Sequence, residues 1–215
     1  RQQVQVETLQ MHQADGLLSL AAGVSSETGI YTASVSGQNV RLTSWDVGEQ
    51  QVVPFSGWFD FELNGEGRVA DPRGSGQIVI RDLKYAGAVV DQMNHEFALE
   101  PDVWRLHSAV PSLGAFSDLI VDPDSWNYRL HARLEDADLG RVAQFWTPSA
   151  GQVAGAVTLR VEAAGAVMAP ALSDISVDLD RLDARVQEIP VVLGAPVRVR
   201  SSVDGVALDG EFHLE

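Results

Sequence analysis

The chain contains no cysteine, few basic residues and no long apolar run: its 215 residues carry 15 lysines and arginines against 30 acids. Without cysteine there are no disulfides, no thiolate metal sites and no thiol nucleophile. A formal charge of −15 leaves no basic footprint for nucleic acid. It equally disfavours adhesion to an anionic membrane surface by charge. No segment approaches the ~20 apolar residues of a membrane-spanning helix, and no basic-then-apolar leader opens the chain. The sequence starts and stops in strand-like text ("RQQVQVETLQM", "GVALDGEFHLE"), so it reads as a piece of a longer protein.

Catalytic patterns are also missing. His12, His95, His107, His131 and His213 are scattered, with no second ligand at a short metal spacing. Asp118, Asp122 and Asp124 in "DLIVDPDSW" lack the glycine and distal glutamate of a calcium loop and read as an aspartate–proline turn. "GEGRVA" joins two strands rather than opening a helix, and "RGSGQ" lacks the spacing of a nucleophile elbow. The expectation is therefore no enzyme, no metal and no cofactor.

What is present is period-two alternation over most of the chain. In "GWFDFELN", Phe59, Phe61 and Leu63 share one face. In "SWNYRLHARLE", Trp126, Tyr128 and Leu130 do so, opposite Arg129 and His131. Val157, Leu159 and Val161 repeat the pattern, as do Val177 and Leu179, and then Val206, Leu208, Phe212 and Leu214. Roughly a dozen strands separated by turn signals make an all-β chain with one apolar face per strand. The one helical signal lies at 138–147: an aspartate N-cap, then Leu139, Val142, Ala143 and Trp146 at helical spacing, then Pro148. Such a short helix must dock on the sheet.

The frame "GWFDFELNGEGRVADP" returns ninety-eight residues later as "GAVTLRVEAAGAVMAP". Gly57, Phe59, Phe61, Leu63, Gly67 and Pro72 correspond to Gly155, Val157, Leu159, Val161, Gly165 and Pro170. A repeat of this kind predicts an elongated body of stacked units. The segments are 1–56, a first run of strands; 57–154, one β-groove unit ending in the short helix; and 155–215, a second, truncated unit. Composition alone favours a sandwich, with two sheets burying their apolar faces against each other. The repeat and the lack of helices favour one long curved, antiparallel-rich sheet folded into a taco-like trough with an apolar interior.

From "DLGRVAQFWTPSAGQVAGAVTLRVEAAG" through "VDLDRL" to "GVALDGEFHL" the chain resembles the TamB and AsmA-like family of envelope proteins. The resemblance lies in a short D-L-x-x-V helix, P-x-x-G-x-x-x-G, an alternating strand, a glycine–proline turn and an aspartate-rich strand end. It covers about residues 136–214, extends to 57–86 as the repeat copy, and does not separate TamB from its relatives. It implies a periplasmic segment of an inner-membrane-anchored protein in a diderm bacterium. It also implies phospholipid acyl chains lying in the trough, an outer-membrane barrel partner or outer-membrane protein substrates, and no catalytic motif. The fifteen residues from Phe59 to Leu214 named on alternating faces above are then the lining. Two other readings stay open: a scaffold for outer-membrane β-strands working by edge pairing, and a carbohydrate-binding or adhesive β-sandwich using Trp45, Trp58 and Trp104.

Overall fold

A computed structural model describes residues 3–13, 16–25, 27–42, 45–46, 52–53, 55–68, 71–85, 88–145, 153–186, 189–202, 205–209 and 213–214. The strands in chain order begin β1 (Gln3–Gln13), β2 (Gly16–Ser25), β3 (Ile30–Leu42), β4 (Trp45–Asp46) and β5 (Val52–Val53). Next come β6 (Phe55–Arg68), β7 (Asp71–Tyr85), β8 (Ala88–Glu100), β9 (Val103–Val110) and β10 (Ala115–Asp122). The rest are β11 (Asn127–Asp138), β12 (Val153–Ala166), β13 (Asp174–Val186), β14 (Ile189–Val192), β15 (Val197–Ser202), β16 (Gly205–Asp209) and β17 (His213–Leu214). Helix α1 (Leu139–Ala143) is the one α-helix among the described residues.

Fifteen of these strands form a single open, curved antiparallel sheet, and β4 and β5 make a separate two-stranded ribbon. From β1 to β13 the sheet is a meander in chain order, skipping only that ribbon. Antiparallel neighbours need only short turns, which is why the connections are short and no crossover helices arise. Beyond β13 the sheet forks, with β14 and β15 both pairing to it and β17 and β16 pairing to those in turn.

Among the described residues no second layer of strands lies on this sheet. All sizeable strand contacts are between hydrogen-bonded neighbours, and the fully buried apolar residues are few. A compact monomer of this mass exposes about 9,700 Å². This chain exposes 14414 Å². A sandwich of the same length would close its interior, so the alternation here belongs to an open sheet.

The small core sits at one end of the strands. Ala137, Val142 and Val157 are buried together, with Leu134, Leu139, Leu159, Leu179 and Leu182 packed partly against them. Helix α1 supplies Leu139 and Val142 to this cluster. Asp138 caps it, accepting from the backbone N–H groups of Gly140 at 2.8 Å and Arg141 at 3.2 Å. The helix is shorter than the expected span: its regular turns end at Ala143, and 146–152 fall outside the described residues. A 3₁₀ turn at Pro111–Leu113 buries Leu113 on the same margin, and Arg141 Nη1 donates to the Ser112 carbonyl at 2.9 Å, tying turn and helix together.

The two copies of the repeated frame are both hairpins, β6–β7 and β12–β13, with apolar residues in the same phase. Their registers differ by two residues. Phe61 faces Ile78, whereas Leu159, its counterpart, faces Leu179 rather than Val177. The difference is present from the first pair after each turn, Arg68 with Asp71 against Ala164 with Asp174, so the turns set it; a bulge at Asp180 in β13 shifts the register again only beyond Leu179. Pro72 lies inside the tight ladder opposite Gly67, while Pro170 opens a 3₁₀ turn.

Candidate functional site

Residues directly opposite in an antiparallel pair project from the same face, so the register traces each face across the sheet. One row runs Leu20, Val35, Leu63, Gly76, Phe97, Leu106, Leu119, Leu130, Ala163, Ile175, Ser201, Val206, across twelve strands from β2 to β16. A parallel row holds Leu18, Gly37, Phe61, Ile78, His95, Ser108, Ser117, Ala132, Val161, Val177 and Val199, with the backbone of Leu208 opposite Val199. Toward the core margin lie Phe59 with Ile80 and Met93, and Leu134 with Leu159, Leu179 and Val197. At ~4.8 Å per strand, twelve strands make an apolar band about 53 Å long.

The central members of this band are half-buried without being covered. They shield one another. The Phe59 and Phe61 rings lie 4.8 Å apart between centroids. Gly37 and Gly76 leave the floor open for the Phe61 and Phe97 rings, since a Cβ at either glycine would collide with those rings. At the margin away from the core, Tyr128 donates to Ser173 Oγ at 2.7 Å, closing the β12–β13 turn over Gly165.

The structure brings most of the residues expected at the lining onto one face. Phe59, Phe61, Leu63, Tyr128, Leu130, Val157, Leu159, Val161, Val177, Leu179 and Val206 share the apolar face, and the backbone of Leu208 sits in register with Val199 on it. Trp126 is different: it occupies the β10–β11 turn with φ 54° rather than a strand. Its indole meets Trp104 edge-on at 5.4 Å, so it stands at the rim of the band. The backbone of Leu214 pairs with Val191 in β14, and Phe212 lies outside the described residues.

The opposite face is polar. A ladder runs Glu96, His107, Asp118, His131, Glu162, Ser176, Arg200 over consecutive strand neighbours. His107 Nδ1 lies 2.7 Å from Asp118 Oδ1, and His131 Nδ1 3.6 Å from Glu162 Oε1. Arg160 grips Asp180 with two 3.1 Å bonds, and Arg198 binds Asp178. That guanidinium holds the Asp178 carboxyl below its ordinary range, and Asp180 raises Arg160. Pairs this exposed contribute little stability each; they fix register and keep this face wet. Among the described residues no group of three or more histidine or acidic side chains is placed to hold a metal. Asp122 caps the turn, accepting from the backbone N–H groups of Asp124 and Ser125 and from the Ser125 hydroxyl, which keeps its own carboxyl low. Trp58 and Trp104 lie on opposite faces of the sheet, and the side chain of Trp45 is outside the described set.

Sequence reasoning passed over one feature of the band. His95, Ser108 and Ser117 stand side by side on β8, β9 and β10, on the apolar face. His95 Nδ1 lies 2.8 Å from Ser108 Oγ, and desolvation lowers the imidazole from its ordinary value. The signal was available: the alternation of Met93–Leu99 puts position 95 in phase with Met93 and Phe97.

Compared with protein-family models, curated proteins and solved structures, the chain matches none.

Proposed function

We propose that the chain is a segment of a periplasmic conduit whose apolar β-face carries phospholipid acyl chains between the inner and outer membranes. One observation carries this reading: an apolar face twelve strands wide that no second layer covers among the described residues. Exposed apolar patches beyond a few hundred Å² mark sites that bind something apolar. Covering one large aliphatic or aromatic side chain contributes about 1.5–3 kcal/mol, so a band of this size strongly recruits hydrocarbon. Contacts of this kind are non-directional, which lets a tail shift from one strand to the next. The length of the band exceeds the ~30 Å hydrocarbon thickness of a bilayer, enough for more than one acyl chain. The family resemblance in residues 136–214 points the same way and adds the envelope location and the link to outer-membrane biogenesis.

The purified chain, mixed with vesicles of phosphatidylethanolamine and phosphatidylglycerol and reisolated, should carry phospholipid detectable by native mass spectrometry. Recovery of lipid-free protein after that exposure would overturn the reading.

A second reading, a scaffold that pairs with outer-membrane β-strands, draws on β1, an eleven-residue strand whose one partner among the described residues is β2. An open edge of that length is a template for an added strand. It would require a peptide copied from a barrel strand to protect the β1 amides from hydrogen exchange, with lipid binding irrelevant.

A further inference from the structure

We propose that His95, Ser108 and Ser117 form an uncharged hydrogen-bonding waist that holds the ester-carbonyl region of a diacyl glycerolipid midway along the apolar band. The inference rests on the lipid reading above and names the part of the lipid that is recognised.

The three residues are contiguous in register on β8, β9 and β10, each half-buried. They sit at the middle of the band, with β2, β3, β6 and β7 on one side and β11, β12, β13, β15 and β16 on the other. At ~4.8 Å per strand those flanks are about 14 Å and 19 Å wide, close to the ~15 Å of hydrocarbon in one leaflet. A lipid tail therefore fits on either side of the waist with its glycerol ester over it.

The chemistry of the trio selects the ligand group. Ser108 engages His95 Nδ1, and no described side chain hydrogen-bonds His95 Nε2 or the Ser117 hydroxyl. If Ser108 donates, Nε2–H remains a donor. If Nδ1–H donates, the Ser108 hydroxyl is the free donor. Either tautomer offers two donors, counting Ser117, and a diacyl lipid brings two ester carbonyls. The charged residues nearest the trio (Glu96, Glu100, Arg105, His107, Asp118) alternate onto the other face, and Asp91, four residues from His95 on β8, is paired with Arg141 of α1 at the core margin. On β7, Ile78 and Ile80 flank the site, with Arg81 turned away. Among the described residues the register neighbours of the trio, Ile78 and Ala132, are apolar, so an anionic phosphate or free carboxylate finds no cation beside it. Desolvation lowers the imidazole from its ordinary value, which favours its neutral form.

The test compares two probes on the whole chain: dioleoyl phosphatidylethanolamine and its di-O-oleyl ether analogue, identical but for the carbonyls. The diester should bind about three- to tenfold more tightly, the value of one or two neutral hydrogen bonds. His95→Phe with Ser108→Ala and Ser117→Ala should keep ether-lipid binding and erase the preference. In the wild-type protein the His95 imidazole ¹⁵N resonances should shift on loading with diester and not with diether, at Nε2 if that nitrogen is the donor and at Nδ1 if Ser108 is, a readout that needs no variant to fold. Equal wild-type affinity for the two lipids, or a preference that survives the triple substitution, overturns the waist and leaves the lipid reading standing. Failure of both lipids to bind overturns both.

Discussion

The backbone N–H of Asn39 donates to the Asp60 carboxylate at 2.6 Å. Asn39 sits at a bulge in β3 with φ 49°, and Arg81 on β7 binds both Asn39 Oδ1 and Asp60. The same device recurs on β11, β12 and β13. Asp136 has φ 51°, its N–H donates to Thr158 Oγ1 at 3.1 Å, and Arg181 binds its carboxylate at 2.9 Å. Asp60 and Thr158 are ninety-eight residues apart, the spacing of the repeated frame. The repeat therefore includes the strand before each hairpin, and its marker is a bulge lock on the polar face. A β-branched residue at a left-handed position costs about 1–2 kcal/mol, so Asn39→Val should lower Tm by about 2–8 °C. Asn39→Gly should lower it much less. Equal melting of Asn39→Val and wild type by circular dichroism would remove the lock.

Gly155 adopts φ 126°, and a Cβ there would run into the Asp183 carbonyl and the Ala184 Cα of the neighbouring strand. Backbone cannot yield as a side chain does. Gly155→Ala should destabilise by about 2–4 kcal/mol. Gly205 has φ 139° with open space around its Cβ position, so its alanine variant should cost only the backbone strain. Urea titration of both variants checks the ordering.

The openness of the band has its own signature in stability. Leu134 packs on the buried cluster under α1, whereas Leu119 stands at the middle of the uncovered face. Leu134→Ala should cost about 2–3 kcal/mol and Leu119→Ala about 1 kcal/mol or less, because Leu119 has little packing to lose. Similar costs would mean that something covers Leu119.

His95 links stability to pH. Desolvation lowers its folded-state pKa below the 6.5 of an unfolded imidazole. The unfolded chain therefore takes up the proton more readily, and stability falls as pH drops below about 6.5. The His95 contribution is fully present above that value. In His95→Phe the part of the acid sensitivity between pH 6.5 and 5 that belongs to this residue should vanish, read as a flatter urea midpoint over that window. An unchanged slope would contradict a desolvated histidine on this face.

Much of this fold was legible because period-two alternation survives intact in long strands such as β6, β11 and β12. The helix start was legible too, since Asp138 can satisfy two orphan amides. The placement of Trp126 was not. It continues the alternation of Tyr128 and Leu130, but the turn that Asp122 nucleates carries it into a left-handed conformation. The bulges at Asn39, Asp136 and Asp180 leave a fainter trace, a single odd step in the apolar phase from Gly37 to Val40, Leu134 to Ala137 and Leu179 to Leu182, which a window of alternation averages away. An open sheet and a sandwich share one alternation, so only the exposed area of the folded chain separates them. His95 was overlooked for another reason. A histidine was sought beside metal ligands, while its meaning lies in the apolar neighbours it interrupts.

The central claim is that lipid occupies the apolar face and not the polar one. Leu130 and Arg129 are adjacent on β11 and project from opposite faces. A diazirine-bearing residue placed at each position in cells, followed by irradiation and mass spectrometry, compares the two faces on a single strand. The account predicts phospholipid adducts at position 130 and none at 129. Adducts at both positions, or at neither, would contradict it.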